Sequence, residues 1–270
     1  MITILDAIAG IKMFSFSGHT DEVNCLTFSS DGLALVSGSD DKSVKFWDIQ
    51  TGGVIRNFYG HTKPVCSVSI STDLIRIASG SEDNTINLWD TQTEEILCTI
   101  KQHGPVHHVG FSPIDPQHII SICCNKVLQW NINGHQIPPT YNATQIAFSP
   151  DHTQLALCDG KVVTVRNSDS GAIVTEFYIT SGSTKCCCFS PDGRLVAVAA
   201  GNTAYVLDLT SPGSHLIAIF DGHTAAITSL VFTSPSSLVS ASRDSSIKFW
   251  KIGTLSTDTV SSAMDVRIST

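Results

Sequence analysis

The stretch from Gly18 to Asp48, GHTDEVNCLTFSSDGLALVSGSDDKSVKFWD, constrains this chain more than any other, because most of the later sequence can be laid onto it. It returns as Gly60 to Asp90, GHTKPVCSVSISTDLIRIASGSEDNTINLWD, and again as Gly222 to Trp250, GHTAAITSLVFTSPSSLVSASRDSSIKFW. Gly18 and Gly60 are 42 residues apart, and so are Trp47 and Trp89. Inside the first copy, Val23 to Phe28 alternates sides, Ser30-Asp31-Gly32 is a turn, Leu33 to Gly38 is a second strand and Ser43 to Asp48 a third. Gly52-Gly53 then turns the chain into an outer strand, Val54 to Phe58. Self-similarity at this period, with Gly-His at one end and Trp-Asp at the other, marks a repeated four-stranded unit.

Each strong copy carries the same polar residues at matching offsets: His19, Ser37, Asp41 and Trp47; His61, Ser79, Asp83 and Trp89; His223, Ser240, Asp244 and Trp250. On these residues the chain resembles the WD-repeat β-propeller family, over roughly residues 2 to 251. The resemblance implies that the four side chains of a copy form a hydrogen-bonded chain from Asp to His to Ser to the indole N–H. Such a network has a physical purpose. Trp and His present large apolar bodies between blades, yet their polar atoms cost free energy if buried unpaired. Linking them removes that cost and fixes the register of three strands and a loop. The three Gly-His histidines therefore read as structural residues, not as ligands.

The other repeats are weaker. The third keeps Trp130 but shortens the turn before its third strand to Cys124-Asn125, and its counterpart of Gly-His is a displaced His103-Gly104. His103 and His107 are four apart, a spacing that aligns metal ligands on a helix and not in a loop leading into a strand. The fourth and fifth repeats place Arg166-Asn167 and Leu207-Asp208 where Trp-Asp belongs. They lack Gly-His and turn on Asp159-Gly160 and Gly201-Asn202, pairs that accept positive φ. These blades are expected to be held by packing alone and to form the softer part of the ring.

Leu5 to His19 aligns without gaps to Trp47 to His61, so Leu5-Asp6 occupies a Trp-Asp position. The chain then begins inside a blade, with Ile2 to Asp6 as its third strand and Ile11 to Phe16 as its outer strand. The fold expected is all-β: a propeller of six full four-stranded blades plus an incomplete seventh shared by the termini. After Lys251 the remaining residues must first supply the sixth blade's outer strand, which leaves room for one more at best, Ala263 to Ile268. The alternative is a closed six-blade ring, with Ile11 to Phe16 as the sixth blade's outer strand and Ile2 to Asp6 spare. Residues 1–251 read as a single propeller domain. Residues 252–270 read as a Ser/Thr-rich tail, either partly disordered or supplying a closing strand. A seven-blade arrangement implies an exposed strand edge and a chain that is part of a longer protein.

Composition narrows the function. The chain is 42% hydrophobic and 15% charged, which is globular. A formal charge of −8 without any basic run argues against a broad nucleic-acid footprint, which needs clustered Lys and Arg. Nine cysteines form an odd count without a C-x-x-C pair, and Cys186, Cys187 and Cys188 are consecutive in a strand, where neighbours point to opposite faces. Cys25 and Cys186 share a repeat position and read as small buried hydrophobes in a reducing compartment, cytoplasmic or nuclear. No window has the ~18 to 20 apolar residues of a membrane helix. The N-terminal MITILDAIAGIKMF lacks the basic start of a signal peptide.

No catalytic motif emerges: there is no G-x-x-x-x-G-K, G-x-S-x-G or H-E-x-x-H. No cofactor, metal or small-molecule substrate is expected. In each blade the loop entering the inner strand and the loop joining the second and third strands emerge on one face, so a ring of them forms a rim. Asp21, Glu22, Asp40, Lys63, Glu82 and Arg243 lie there, each adjacent to a structural His or Asp, and are the candidate partner-binding residues. The resemblance implies a non-enzymatic scaffold for other proteins. In wording, SGSDDKSVKFWD and SGSEDNTINLWD are similar to the WD-repeat regions of fungal signalling ATPases of the incompatibility type and of mitochondrial-fission adaptors. A chromatin-complex or ubiquitin-ligase adaptor is the alternative, and a catalytic propeller the more distant one.

Overall fold

The computed structural model describes residues 1–5, 12–112, 115–180, 182–210, 215–252 and 264–267. Asp6 and Ile11, and most of the Ser/Thr-rich segment, lie outside the described residues. Among those described, every regular element is a β-strand. The chain divides into two compact units, Met1–Tyr141 and Asn142–Thr270.

The first unit opens with a two-stranded antiparallel sheet, β1 (Ile2–Leu5) against β2 (Lys12–Phe16), in which Ile2 faces Phe16. Three four-stranded sheets come next. The first blade is β3 (Val23–Phe28), β4 (Ala34–Ser39), β5 (Ser43–Asp48) and β6 (Val54–Tyr59). The second is β7 (Val65–Ile70), β8 (Arg76–Ser81), β9 (Thr85–Asp90) and β10 (Ile96–Lys101). The third is β11 (Val106–Phe111), β12 (His118–Cys123), β13 (Lys126–Asn131) and β14 (Gln136–Asn142). Each is a meander whose strands pair in sequence order.

The second unit holds three more. The fourth blade is β15 (Gln145–Phe148), β16 (Gln154–Asp159), β17 (Val162–Asn167) and β18 (Ile173–Tyr178). The fifth is β19 (Thr184–Phe189), β20 (Leu195–Ala200), β21 (Thr203–Asp208) and β22 (His215–Asp221). The sixth is β23 (Ile227–Ser234), β24 (Ser237–Ser242), β25 (Ser246–Lys251) and β26 (Met264–Arg267).

Two expectations about the chain ends are corrected by the pairing. β26, within the Ala263 to Ile268 stretch expected in a closing blade, pairs instead with β25 and is the sixth blade's outer strand, a role that does not fall to β2 either. Among the described residues the two-stranded sheet therefore holds β1 and β2 alone, and β26 adds no strand to it. Among the described residues β1 pairs only with β2. A third correction is one residue wide: β16 runs through Asp159, so the fourth blade turns on Gly160 and Lys161.

Within each unit the cores are layers between successive sheets. Val36, Val44 and Phe58 of the first blade pack on Val65, Val68, Ile77 and Trp89 of the second. Ile2 and Phe16 pack on Leu35 and Trp47. In the second unit, Val163, Val165 and Phe177 meet Phe189, Val198 and Leu207. Inner strands are also stitched by side chains: Ser67 Oγ accepts from Val109 N at 3.0 Å, and Asn24 Nδ2 donates to Val65 O at 3.1 Å.

The turn joining the first two strands of a blade is built around a buried serine. Ser29, Ser71, Ser149 and Ser190 each donate a hydroxyl hydrogen bond to the aspartate two residues on, and each accepts from the first amide of the returning strand. The F-S-P-D wording of the fourth and fifth repeats thus marks a hydrogen-bonded turn, as serine and aspartate do in general.

Candidate functional site

Three blades carry a continuous polar chain. In the first, Trp47 Nε1 donates to Ser37 Oγ at 2.8 Å, Ser37 Oγ lies 2.6 Å from His19 Nε2, and His19 Nδ1 lies 2.7 Å from Asp41 Oδ2. The second repeats this through Trp89, Ser79, His61 and Asp83 at 2.8, 2.8 and 2.9 Å. The sixth uses Trp250, Ser240, His223 and Asp244 at 2.7, 2.7 and 2.8 Å. One polarity satisfies every donor: indole to serine oxygen, serine hydroxyl to Nε2, Nδ1–H to carboxylate. That arrangement uses a neutral imidazole. Burial pushes the pKa of His19 and of His61 below its ordinary value, against the opposing pull of Asp41 and Asp83.

The aspartates are anchored more heavily than the Gly-His and Trp-Asp wording discloses. Asp41 also accepts from the Ser43 amide and hydroxyl and from the Thr20 amide. Thr85 with Thr62, and Ser246 with Thr224, do the same for Asp83 and Asp244. Partial burial works against the charge of Asp41, but these hydrogen bonds outweigh it and hold the carboxyl well below the usual range. The signal was present in the sequence as Gly-His-Thr and as a Ser or Thr two residues after the aspartate. A further device that sequence reasoning missed is the phenylalanine three residues before each histidine. Phe16, Phe58 and Phe220 lie at or next to the end of the preceding sheet's outer strand and pack against Trp47, Trp89 and Trp250 with ring centroids 5.8, 5.6 and 5.0 Å apart. Gly60 must lack a side chain, because a Cβ there would stand 2.9 Å from both Trp89 and Ile96.

An Asp-His-Ser series at these distances has the outline of a nucleophilic triad. Burial decides against that use. Ser37, Ser79 and Ser240 are 0% exposed and their oxygens already accept an indole N–H, so no substrate carbonyl can reach them. Among the described residues no group of three or more His, Cys, Asp or Glu could hold a metal ion. All nine cysteines are free thiols. Half-buried Cys25 and Cys186 pack against the blade cores, and burial pushes both thiols up to about 12, which keeps them protonated.

The remaining blades explain their own lack of the chain. Blades one, two and six join their second and third strands by three residues, Asp40-Asp41-Lys42, Glu82-Asp83-Asn84 and Arg243-Asp244-Ser245, whose last residue has positive φ. Blades three, four and five use two, Cys124-Asn125, Gly160-Lys161 and Gly201-Asn202, none of them an aspartate. In register, Leu157 and Val198 replace the chain's serine in blades four and five. The third blade is intermediate: Trp130 Nε1 still donates to Ser121 Oγ at 2.9 Å.

The rim candidates lie where these loops emerge. In the first unit Asp21, Glu22, Lys63 and Glu82 are exposed, and Asp40 is half-buried, accepting from Asn24 Nδ2 at 2.6 Å. The two loops of each blade are tied together: Asp40 N donates to Glu22 O at 2.9 Å and Glu82 N to Pro64 O at 3.0 Å. In the second unit exposed Arg243 is held the same way, its amide donating to Ala226 O at 3.0 Å.

Four stretches of the chain, residues 10–48, 52–90, 171–208 and 214–251, match the family model described as WD domain, G-beta repeat, and together they make up more than half of it. The chain belongs to the WD-repeat family. The matched stretches include the fifth blade, which keeps the WD-repeat strand pattern without the polar chain. Similar relatives are WD repeat-containing protein 37 of Xenopus tropicalis, 34% identical over 90 residues, and human WD repeat-containing protein 18, 49% identical over 41 residues. The first match covers 30% of this chain and 18% of the relative, the second 15% and 10%. Ribosome biogenesis protein bop1-A of Xenopus laevis is 45% identical over 47 residues, 17% of this chain and 6% of its own. The chain thus spans less than a fifth of the curated relatives it matches. Among solved structures, the Cps50 (Swd1) β-propeller domain of Myceliophteria thermophila aligns with a TM-score of 0.77 at 17% identity, over 92% of this chain and 88% of that one. It shows the fold, a β-propeller.

Proposed function

We propose that this WD-repeat chain is a non-enzymatic scaffold that binds other proteins on the loop rim of its blades, as part of a signalling or adaptor protein. One observation carries the reading. In the first unit Asp21, Glu22, Lys63 and Glu82 present charged side chains to solvent from loops whose backbones are bonded to each other and, through Asp41 and Asp83, to the buried tryptophans. Side chains on so fixed a frame lose little conformational freedom when a partner docks. Carboxylates outnumber the single lysine there, which favours a partner with a basic surface. Free thiols throughout the chain fit a reducing compartment, cytoplasm or nucleus.

The test is capture of partners from the native cell by the wild-type chain and by a variant with Asp21, Glu22 and Glu82 all changed to lysine. These side chains are exposed and contribute little to stability, so the unfolding midpoint should stay in place while the specific partner is lost. Full recovery of that partner by the variant would move the site off this rim.

A further inference from the structure

The third blade differs from the second by one residue in each of two neighbouring connections. Gly60 to Pro64 join β6 to β7, whereas residues 102–105 join β10 to β11. Three residues join β8 to β9, whereas only Cys124 and Asn125 join β12 to β13. Cys123 pairs with Val106 as Ser81 pairs with Val65, and neither residue of the shorter turn is an aspartate. His103 remains but is exposed, whereas His61 is buried.

At these two shortened connections lies a cleft of about 360 Å³ beside Trp130. Its walls include Lys101, at the end of β10, and Lys126, at the start of β13, both exposed and neither in an ion pair among the described residues. Gln102 lines it too, and its side-chain Nε2 is buried without an acceptor among the described residues. His103 and the exposed thiol of Cys124 also line it, and among the described residues no Asp or Glu does. In a chain of formal charge −8, a concave site with two ammonium groups, an unsatisfied amide donor and no carboxylate runs against the overall balance. Buried donors are normally paired, and each one left over calls for an acceptor.

We propose that this cleft binds an oxyanion, a carboxylate or phosphate group, which takes the place of the aspartate that the shorter turn lacks. Lys101 and Lys126 supply the charge, Gln102 Nε2 supplies a fixed donor, and His103 gains the kind of acceptor that His61 finds in Asp83. The site uses none of the rim carboxylates, so it stands or falls independently of the partner-binding reading.

The experiment titrates the folded chain with inorganic phosphate in one arm and succinate in the other, at ionic strength matched with chloride. Binding is followed at the Trp130 indole and Gln102 side-chain amide resonances. A saturable shift there, with the Trp47, Trp89 and Trp250 indoles unmoved, is expected in at least one arm. The arm that saturates identifies the group as phosphate or carboxylate, and saturation in both identifies a general oxyanion site. Bound anion should also slow maleimide labelling of Cys124, the exposed cysteine of the nine. The double variant Lys101→Gln, Lys126→Gln should weaken binding by about tenfold or more, since charge-assisted contacts are the strong ones. No saturable shift in either arm, or an affinity unchanged in the double variant, overturns the proposal. Should the double variant unfold more easily, the single variants Lys101→Gln and Lys126→Gln give the same readout.

Discussion

Trp130 donates its indole N–H to Ser121 Oγ across 2.9 Å, and there the hydrogen-bonded chain of the third blade stops. In the second blade the equivalent serine, Ser79, goes on to His61 and Asp83. The two blades separate two tasks. The indole–serine bond satisfies a buried donor inside one sheet, whereas the His–Asp extension ties two surface loops to that sheet. Loss of the extension leaves a blade that still packs but whose two surface loops lack that tie to the sheet.

Trp89→Ala should therefore be among the most damaging single changes in the chain. It empties a fully buried site in contact with Phe58 and strips Ser79 of its donor, at a cost of about 3 to 5 kcal/mol. Arg166 holds the same register position in the fourth blade but is half-buried, its guanidinium donating to Gly171 O at 2.8 Å. Arg166→Ala should cost about 1 kcal/mol, the range of one hydrogen bond. Urea unfolding of both variants measures the difference, and equal losses would show that the fourth blade depends on its arginine as the second does on its tryptophan.

Asp83→Ala should fall between these, at about 2 kcal/mol, because it leaves the His61 ring N–H, the Thr62 amide and the Thr85 hydroxyl without their acceptor. Asp83→Asn keeps one acceptor oxygen and should recover part of the loss. Unfolding midpoints of the pair report it directly.

The repeat made the blades legible, since Gly-His, the second-strand serine and Trp-Asp recur at matching offsets, and these determine strand order and register. Several features were written in the same text but needed the structure to be read. The second residue after each aspartate is Ser43, Thr85 or Ser246, and only geometry shows it gripping the carboxylate. Turn length goes with the aspartate: the three-residue turns carry it, and the two-residue turns of blades three, four and five do not. The chain ends were ambiguous because a short outer strand has no signature of its own. Met264–Arg267 and Lys12–Phe16 could each have served the sixth blade, and only the pairing of β26 with β25 assigns it.

Acid should destabilise the fold in two stages. Burial lowers the pKa of His19 and His61 from the ordinary 6.5 and takes that of half-buried His108 down to about 4. Below 6.5 the unfolded chain takes up protons that the folded chain refuses, so stability is fully present above that pH and falls as pH drops toward 4. Asp41, Asp83 and Asp244 are also depressed from their ordinary 3.8, since their hydrogen bonds outweigh the desolvation that opposes them. Their contribution is present above 3.8 and is lost as pH falls below it. Thermal midpoints measured from about pH 8 to about pH 3 should fall through both windows, and His108→Gln should flatten only the first.

Phe28 and Phe232 occupy the same place in their sheets, opposite Leu35 and Leu238, which in turn face Trp47 and Trp250. Their surroundings are opposite: Phe28 is 56% exposed and Phe232 is 7%. Leu26 and Leu230, two residues earlier, differ alike at 49% and 7%. In the first unit the two-stranded sheet covers Leu35 and Trp47 but not these inner-strand positions. Stabilisation scales with apolar area removed from water, so Phe232→Ala should cost about 3 to 5 kcal/mol and Phe28→Ser under about 1 kcal/mol. An uncovered apolar pair, in a unit whose strand β1 pairs only with β2 among the described residues, also invites association between chains. Sedimentation at rising concentration should then show Phe28→Ser associating less than wild type while its unfolding midpoint stays put. A midpoint that falls as far as that of Phe232→Ala would mean that Phe28 is covered in solution.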